Sequence, residues 1–237
     1  MKVYFVTVGL REEMEVIRKV RPPRLLCSYW YFKKRDLQEF CSSLGYIPEI
    51  LLDSGAYSAF TKGSCVDLAD YMRYIGKNVE YISRYIALDV INDPFATMEN
   101  YKVMRRAGFS PIPVYHYGDD LNILIEYVQS GETAVALGNT ARIRDKKAVA
   151  KWCESIRKEL PNDVALHLLG SSSNRIIECG AVDSCDSSAW YMCAVNGGPK
   201  LIPGKTRQAK LDRAEANMIR IMEAFNESTV PSHNCRG

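Results

Sequence analysis

The sequence lacks the features that mark membrane proteins and disulfide-rich proteins. No stretch approaches the roughly 20 consecutive apolar residues that a membrane-spanning helix needs. The eight cysteines follow no regular spacing, so we expect reduced thiols rather than a disulfide framework. The apolar stretch at the N-terminus is too short for a signal peptide and has the wrong flanks. These absences together predict a cytoplasmic protein with no membrane partner.

Strong net charge and low-complexity sequence are also missing. The formal net charge is only +3, which does not by itself indicate a polyanionic partner. The chain has no internal repeat beyond an alternation of strand-like and helix-like segments. Hydrophobic residues make up 47% of it, which is enough for a large core and excludes an intrinsically disordered protein.

What the sequence does have is a regular alternation of short apolar runs and helical patterns, which is typical of a parallel sheet covered by helices. The length of 237 residues is close to the roughly 250 of a typical barrel. We therefore predict an α/β fold with one domain over residues 1–237, a single (β/α)8 TIM-type barrel. Two domains of about 120 residues and an open doubly wound sheet are the alternatives. The predicted strands are 3–8, 25–29, 49–53, 84–89, 110–116, 133–138, 164–169 and 180–184.

The C-terminal part, residues 196–237, is predicted to be a basic loop, a closing amphipathic helix and a polar tail. Its segment 200–213 contains five basic residues and one acid. Four of these basic residues are candidates to hold the phosphates of a nucleic acid: Lys200, Lys205, Arg207 and Lys210. A solvated loop and helix face is the alternative interpretation.

Polar and small residues stand where most of the predicted strands end. In a barrel these ends meet at one mouth, where barrel enzymes carry out their chemistry. The residues are Asp53, Asp89, His116, Gly138, Asn139, Gly170, Asp183 and Asp186. Several carboxylates in different environments can divide the work of nucleophile and proton shuttle, so the pattern predicts an enzyme pocket. Alternatively, Asp89 and Asp183 could cap the following helices, and His167 is predicted to be structural.

Four segments resemble, in order along the chain, the motifs of the tRNA-guanine transglycosylases. Asp53-Ser-Gly-Ala-Tyr57 is similar to their Asp-Ser-Gly-Gly-Tyr/Phe motif. Val182-Asp-Ser-Cys-Asp186 resembles their Val-Asp-Met-Phe-Asp segment, whose last residue is the nucleophile. Ala87-Leu-Asp89 and Val135-Ala-Leu-Gly138 stand where that family has an acid and a glycine that contact the base. His116 stands where the family has a glutamine, and the resemblance covers roughly residues 49–190.

The resemblance implies an enzyme that exchanges guanine for a 7-deazaguanine base through a covalent glycosyl intermediate. Asp186 would be the nucleophile and Asp53 the proton shuttle. The target nucleotide would have to leave its stack to reach the pocket, and the ring of Tyr57 would stack on its base. The implied contacts to the base come from Ser54, Gly55, Tyr57, Asp89, His116, Gly138, Asn139 and Gly170.

The chain also departs from that family. The members that modify tRNA hold zinc through a cysteine-rich motif, and Cys179, Cys185 and Cys193 are spaced differently, so we expect no cofactor and no structural zinc. Because the chain is short and shows no RNA-binding appendage, DNA is favoured over tRNA as the nucleic-acid partner, with a free 7-deazaguanine-type base as the second substrate. A partner protein or a second copy of the chain could supply further contacts. The alternative functions are an N-glycoside hydrolase of nucleosides or nucleotides and a non-catalytic barrel that binds nucleic acid.

Overall fold

The computed structural model describes residues 1–140, 143–196 and 202–230. Within these residues eight parallel strands form one curled sheet, and neighbouring strands follow the order β4-β3-β2-β1-β8-β7-β6-β5. Because the two end strands of this order are consecutive in sequence, the sheet is the wall of a barrel. The strands are β1 (Lys2–Thr7), β2 (Arg24–Ser28), β3 (Glu49–Asp53), β4 (Arg84–Tyr85), β5 (Val114–His116), β6 (Ala134–Gly138), β7 (Ala165–Leu168) and β8 (Ser184–Ser187).

The barrel closes between β4 and β5, just beyond the regular part of β4. Ile86 and Ile112 form a parallel bridge there. The Ala87 amide donates to the Ile112 carbonyl and the Ile112 amide donates to the Tyr85 carbonyl, both at 2.8 Å. The predicted single (β/α)8 barrel is therefore confirmed, and the open doubly wound sheet is excluded.

Helices surround the barrel and begin at local capping signals. Asp36, Asp67, Asp120 and Asp145 each cap a helix by accepting hydrogen bonds from its first amides. The helices are α1 (Arg11–Val20), α2 (Tyr29–Phe32), α3 (Leu37–Leu44), α4 (Ala56–Phe60), α5 (Leu68–Lys77), α6 (Pro94–Arg106), α7 (Leu121–Gln129), α8 (Lys146–Lys158), α9 (Asn174–Cys179), α10 (Ala189–Asn196) and α11 (Arg207–Ala224), with a short 3-10 helix at Val79–Tyr81. The predicted closing helix is α11, which packs against α10 and α1.

Apolar residues form two packed layers, because successive side chains of a strand point to opposite faces of the sheet. The larger core lies between the sheet and the helices, and the smaller one fills the barrel interior. The interior includes Tyr4, Leu26, Leu51, Val114 and Ala136, each buried. Because side chains two residues apart in a strand face the same side, these residues determine which later residues point into the mouth of the barrel.

One predicted strand was wrong, and the error moves a candidate residue. We predicted the last strand at 180–184, but β8 runs from Ser184 to Ser187 and its Ser184 pairs with Lys2 at the start of β1. Asp183 therefore lies before the strand, at the end of the barrel opposite the mouth. Its Oδ2 accepts hydrogen bonds from the Leu166 amide at 2.7 Å and from Arg157 at 2.8 Å. Asp183 is thus not a site residue and does not cap a helix.

Among the residues described, no helix is both long enough and apolar enough to cross a membrane.

Candidate active site

The carboxyl ends of the strands surround a pocket of about 370 Å³, a volume within the range of small-molecule sites. Its lining follows from the period of the strands. Leu51 lies in the barrel interior, and Asp53, two residues later, lines the pocket. Val114 and His116 are related in the same way. The predicted site residues that line it are Asp53, Tyr57, Asp89, His116, Gly138, Asn139, Gly170 and Asp186.

Asp186 is nearly buried, with 4% of its surface exposed, and it still lines the pocket. The Gly170 amide donates a hydrogen bond to its Oδ1 at 2.8 Å. His167 Nε2 lies 3.5 Å from the same oxygen. Since both contacts fall on Oδ1, Oδ2 is the oxygen that the carboxylate can offer to a ligand. His167, which we predicted to be structural, is therefore a direct neighbour of this carboxylate, with its Nδ1 2.9 Å from Ser184 Oγ.

Asp53 has a strongly raised pKa. Burial is the largest cause, and the negative charges of Asp89 and Asp186 add to it, so that the pKa rises to about 7. The Gly55 amide donates to Asp53 Oδ2 at 2.9 Å and opposes the shift without cancelling it. At neutral pH a large fraction of the molecules therefore carries a proton on Asp53, which is what a general acid requires.

Asp89 and His116 form a coupled pair on another side of the pocket. His116 Nε2 lies 3.3 Å from Asp89 Oδ2, and His116 Nδ1 lies 3.4 Å from Asp119 Oδ2. Burial of the ring lowers the pKa of His116, but the hydrogen bonds and charges of Asp119 and Asp89 outweigh burial and raise that pKa to about 9. The ring is therefore an imidazolium at neutral pH, placed between two carboxylates.

The alternative interpretation of Asp89 as a helix cap is wrong. Helix α6 is capped by Asp93, whose side chain accepts a hydrogen bond from the Ala96 amide at 2.9 Å. Asp89 instead accepts a hydrogen bond from Ser54 Oγ at 3.0 Å. The contacts of Asp89 to Ser54 and His116 fix its carboxylate at the edge of the pocket.

Ser54 and Gly55, which we predicted to contact the base, lie behind the pocket wall. Ser54 is fully buried and holds Asp89. Gly55 has a φ of +75°, and a Cβ there would lie 2.5 Å from the Cβ of Trp30. This glycine is therefore required by its backbone conformation and by its packing against Trp30. Ser54 therefore positions Asp89, and the amide of Gly55 positions Asp53.

The remaining predicted residues lie at the pocket itself. Gly138 is buried beneath the ring of His116, because a Cβ at Gly138 would lie 2.6 Å from His116 Cδ2. Asn139 follows with a φ of +59°. Tyr57 is 46% exposed at the rim of the pocket. Its exposed ring can therefore contact a ligand in the pocket.

Three of the predicted phosphate-binding residues, Lys205, Arg207 and Lys210, lie outside the pocket lining. Lys200 is outside the described residues. Lys205 and Lys210 are exposed. Arg207 forms ion pairs with Glu12 and Glu15 on α1, at 3.4 and 2.7 Å, so its charge is already used within the protein. Nothing in this placement tests whether these residues bind nucleic acid.

Sequence reasoning missed Asp119 and Tyr31, which also line the pocket. Asp119 lies in the loop after β5, and its Oδ2 accepts a hydrogen bond from the His116 amide at 3.0 Å. A glycine next to two acids, Gly118-Asp119-Asp120, is a turn signal that could have drawn attention to this loop. Tyr31 lies on the very short helix α2, for which the sequence has no periodic pattern.

The pocket is acidic. Four aspartates line it, His116 is its one cationic side chain, and no lysine or arginine belongs to the described lining. No cluster of metal-ligating side chains that could hold an ion is found in the described part of the chain. The expectation of no cofactor stays a prediction. The pocket favours a ligand that offers hydrogen-bond donors or develops positive charge during its reaction.

Comparison with known proteins supports the fold and corrects the family. No protein-family model matches the chain, and no curated protein matches it. A solved structure of a proposed fructose-1,6-biphosphate aldolase from Coccidioides immitis is similar in fold, with a TM-score of 0.60 and 14% sequence identity over 95% of this chain and 91% of that one. At that identity the likeness shows only that both chains are TIM-type barrels.

The assignment to the tRNA-guanine transglycosylases, made on four short motifs, is therefore wrong. None of these comparisons places the chain in that family, and the solved structure that is similar in fold is of a proposed aldolase. The physical reason is that each motif contributes a residue at the mouth end of a strand, namely Asp53, Asp89, Gly138 or Asp186. Barrel enzymes with unrelated reactions keep acids and glycines at these positions, so such motifs report the fold more than the family. The chain is compatible with an enzyme, and its reaction has to be argued from the pocket alone.

Proposed function

We propose that this protein is an enzyme that breaks and re-forms the N-glycosidic bond of a guanine-type nucleotide in a nucleic acid, exchanging the base through a covalent glycosyl intermediate. DNA is the proposed substrate, and a guanine or 7-deazaguanine ring is the proposed incoming base. The proposed reaction class rests on the chemistry of the pocket, whereas DNA and the 7-deazaguanine base are expectations carried over from the sequence.

The observation that carries the proposal is that two carboxyl groups, Asp53 and Asp186, line one pocket and that one of them has a raised pKa. Burial, followed by the charges of Asp89 and Asp186, raises the pKa of Asp53 to about 7. A carboxyl that keeps its proton beside a carboxylate is the pairing that glycosidic bond cleavage uses. The acid protonates the leaving group and the carboxylate attacks the sugar carbon.

In the proposed reaction, Asp186 Oδ2 forms a bond to C1′ of the sugar while the bond from C1′ to the base nitrogen breaks. The electron pair of that bond leaves with the base, which takes the proton of Asp53. The incoming base then gives a proton to Asp53 and attacks C1′, which releases Asp186. The cationic character that develops on the sugar ring is stabilised by the surrounding carboxylates.

The carboxylate of Asp89 supports a guanine-type base. Ser54 and His116 hold this carboxylate in place, and its remaining lone pairs can accept hydrogen bonds from a ligand. The edge of guanine offers N–H donors, so it complements this carboxylate. The exposed ring of Tyr57 at the rim provides a stacking surface for the base.

The same pocket gives no support for carrying over aldolase chemistry from the structural neighbour. A Schiff-base mechanism needs a lysine in the site, and the described lining contains none. A sugar bisphosphate would also place phosphate charge among four aspartates, where Coulomb repulsion disfavours it.

The proposal is tested by incubating the protein with single-stranded DNA, duplex DNA or tRNA and with labelled guanine or 7-deazaguanine. We expect label to enter one of the nucleic acids and a protein–nucleic acid adduct to appear on a denaturing gel. Asp186→Asn should lose both signals, by about 10³-fold or more in exchange rate. The matched control is Asp163→Asn, which changes an exposed aspartate away from the pocket.

Full exchange by the Asp186→Asn protein would remove the nucleophile from the proposal. Release of free base without incorporation of label would instead identify a hydrolase, in which water resolves the intermediate. Absence of both activities with every nucleic acid would leave the base-exchange proposal without support and favour a binding protein.

A further inference from the structure

Two short helices beside the pocket carry exposed aromatic rings next to lysines. Helix α2 follows β2 and helix α4 follows β3, and the two helices pack against each other. Tyr31 is 37% exposed and Phe60 is 48% exposed. We call this surface the aromatic–lysine patch, and it consists of Trp30, Tyr31, Lys33, Phe60 and Lys62.

The lysines of the patch lie directly over its rings. Lys33 Nζ is 3.8 Å from the ring centroid of Trp30. Lys62 Nζ is 4.6 Å from the centroid of Tyr31 and 6.0 Å from that of Trp30. Neither lysine forms an ion pair with any carboxylate of the described residues. Both ammonium groups are exposed and available to an anion, in contrast to Arg207, which is held by two glutamates.

The patch is continuous with the pocket. Tyr31 belongs to the patch and also lines the pocket. Tyr57 and Ser58 of α4, which carries Phe60 of the patch, line the pocket as well. The backbone of Trp30 packs against Gly55, where a Cβ would lie 2.8 Å from the Trp30 amide nitrogen. The turn that follows Asp53 is thus in direct contact with the patch. A ligand that extends out of the pocket on this side meets the patch first.

The charges of the two surfaces are complementary to different parts of a nucleotide chain. The pocket has four aspartates and no lysine or arginine in its described lining, so it does not favour phosphate groups. The patch offers two ammonium groups and several ring faces outside the pocket. Aromatic stacking together with lysine contacts to phosphate is the usual way in which proteins hold single-stranded nucleic acids.

We infer that the aromatic–lysine patch binds the single-stranded nucleic acid that flanks the target nucleotide. A base next to the target stacks on the exposed ring of Phe60, and Lys33 and Lys62, which lie over Trp30 and Tyr31, contact the phosphates. This inference rests on the proposed function, because it assumes that the target base occupies the pocket. It moves the nucleic-acid surface from the C-terminal segment to the loops after β2 and β3.

The test measures binding of the full chain to a fluorescent single-stranded oligonucleotide by anisotropy, at several salt concentrations. Lys33→Ala with Lys62→Ala should weaken binding and lower the salt dependence by about 1.4 in the slope of log K against log salt, since each phosphate contact contributes roughly 0.7. Phe60→Ala should weaken binding by about tenfold with an unchanged slope, because it removes stacking and no charge.

The matched control for the charge change is Lys151→Ala with Lys158→Ala. Both lysines are exposed on α8, and neither forms an ion pair within the described residues. Lys158 lies in the last turn of α8, and the helices run back along the barrel, so it lies at the end away from the mouth. The control should keep the affinity and the salt slope of the unchanged protein.

The outcomes separate this inference from the proposed function. If the oligonucleotide binds and the patch variants alone lose affinity, the patch is the nucleic-acid surface even when no base exchange is detected. If the unchanged protein does not bind the oligonucleotide, or the patch and control variants bind it equally, the inference is overturned. Equal affinities together with normal base exchange would leave the proposed function standing and place the nucleic acid elsewhere.

Discussion

At the scale of single residues, the main property of the pocket is that four aspartates belong to its described lining. Asp89 and Asp119 are balanced by the imidazolium of His116. Among the described residues no such cation lies beside Asp53, and its pKa is raised to about 7 by burial and by the charges of Asp89 and Asp186. The protein therefore stabilises two of the carboxylates with a cation and keeps a third one partly protonated at neutral pH.

The raised pKa of Asp53 makes the stability of the protein depend on pH. The folded protein binds the proton of Asp53 more tightly than the unfolded chain, so this contribution to stability is fully present below the ordinary pKa of 3.8 and is lost as the pH rises through about 7. Asp53→Asn should therefore raise the free energy of unfolding at pH 8 by roughly 2–3 kcal/mol. The difference should be smallest near pH 4, and urea unfolding at both pH values measures it.

The same substitution should abolish base exchange, because the amide that replaces the carboxyl group has no acidic proton to transfer. A variant that is both more stable at pH 8 and inactive would support Asp53 as a group that lowers the stability of the protein but is needed for its activity. A variant that is less stable at pH 8 than at pH 4, relative to the unchanged protein, would contradict the raised pKa.

At the scale of elements, the site depends on how strand β6 supports β5. Gly138 ends β6 and pairs with His116 at the end of β5. A Cβ at Gly138 would lie 2.6 Å from His116 Cδ2 and 3.2 Å from Val114 Cγ1. The glycine is therefore what allows the ring of His116 to lie against the neighbouring strand and reach Asp89.

Gly138→Ala should displace the ring of His116 and lower base exchange by about 10²-fold, as expected when a group that holds the substrate moves by about 1 Å. The helical glycine Gly76 provides the control. A Cβ added at Gly76 would meet no atom within 4 Å, and its φ is ordinary, so Gly76→Ala should stabilise α5 by about 0.5–1 kcal/mol and leave activity unchanged. Rates and thermal unfolding of both variants check this. Equal activity in both would show that the position of His116 does not matter.

At the scale of the whole molecule, the seam between β4 and β5 is the place where the barrel closes. Strand β4 has only two residues, and one bridge joins this side of the barrel. The hydroxyl of the buried Tyr71 on α5 donates to the carbonyl of Ile86 at 2.8 Å, so an outer helix helps to hold the seam. This contact lies directly beneath the chain that leads to Asp89.

Tyr71→Phe should therefore lower the free energy of unfolding by about 1 kcal/mol, because it leaves a buried carbonyl without its donor. Tyr74, on the same helix, has a buried hydroxyl without a hydrogen-bond partner among the described residues. Tyr74→Phe should leave stability unchanged or raise it, because it removes a buried polar group that gains nothing from folding. Urea unfolding of the two variants gives the comparison, and equal losses would contradict the role of Tyr71 at the seam.

The sequence by itself determined the barrel and most of its mouth. Alternating apolar runs and helical patterns specify parallel strands and outer helices, and in such a fold Asp53, Asp89, His116 and Asp186 must reach one end. These are local patterns with a fixed geometric consequence, so the sequence is enough to predict them. The limits of β8 could not be predicted, because its pairing with β1 depends on register and not on composition.

Only the tertiary structure decided what each residue does at that mouth. It places Asp183 at the opposite end of the barrel, Ser54 and Gly55 behind the pocket wall, and Asp119 beside His116. The raised pKa of Asp53 likewise depends on charges that are 36 and 133 residues away in sequence. Burial and Coulomb interactions depend on distances in space. The order of residues along the chain could therefore suggest motifs, but it could not show which side chains interact or what their pKa values are.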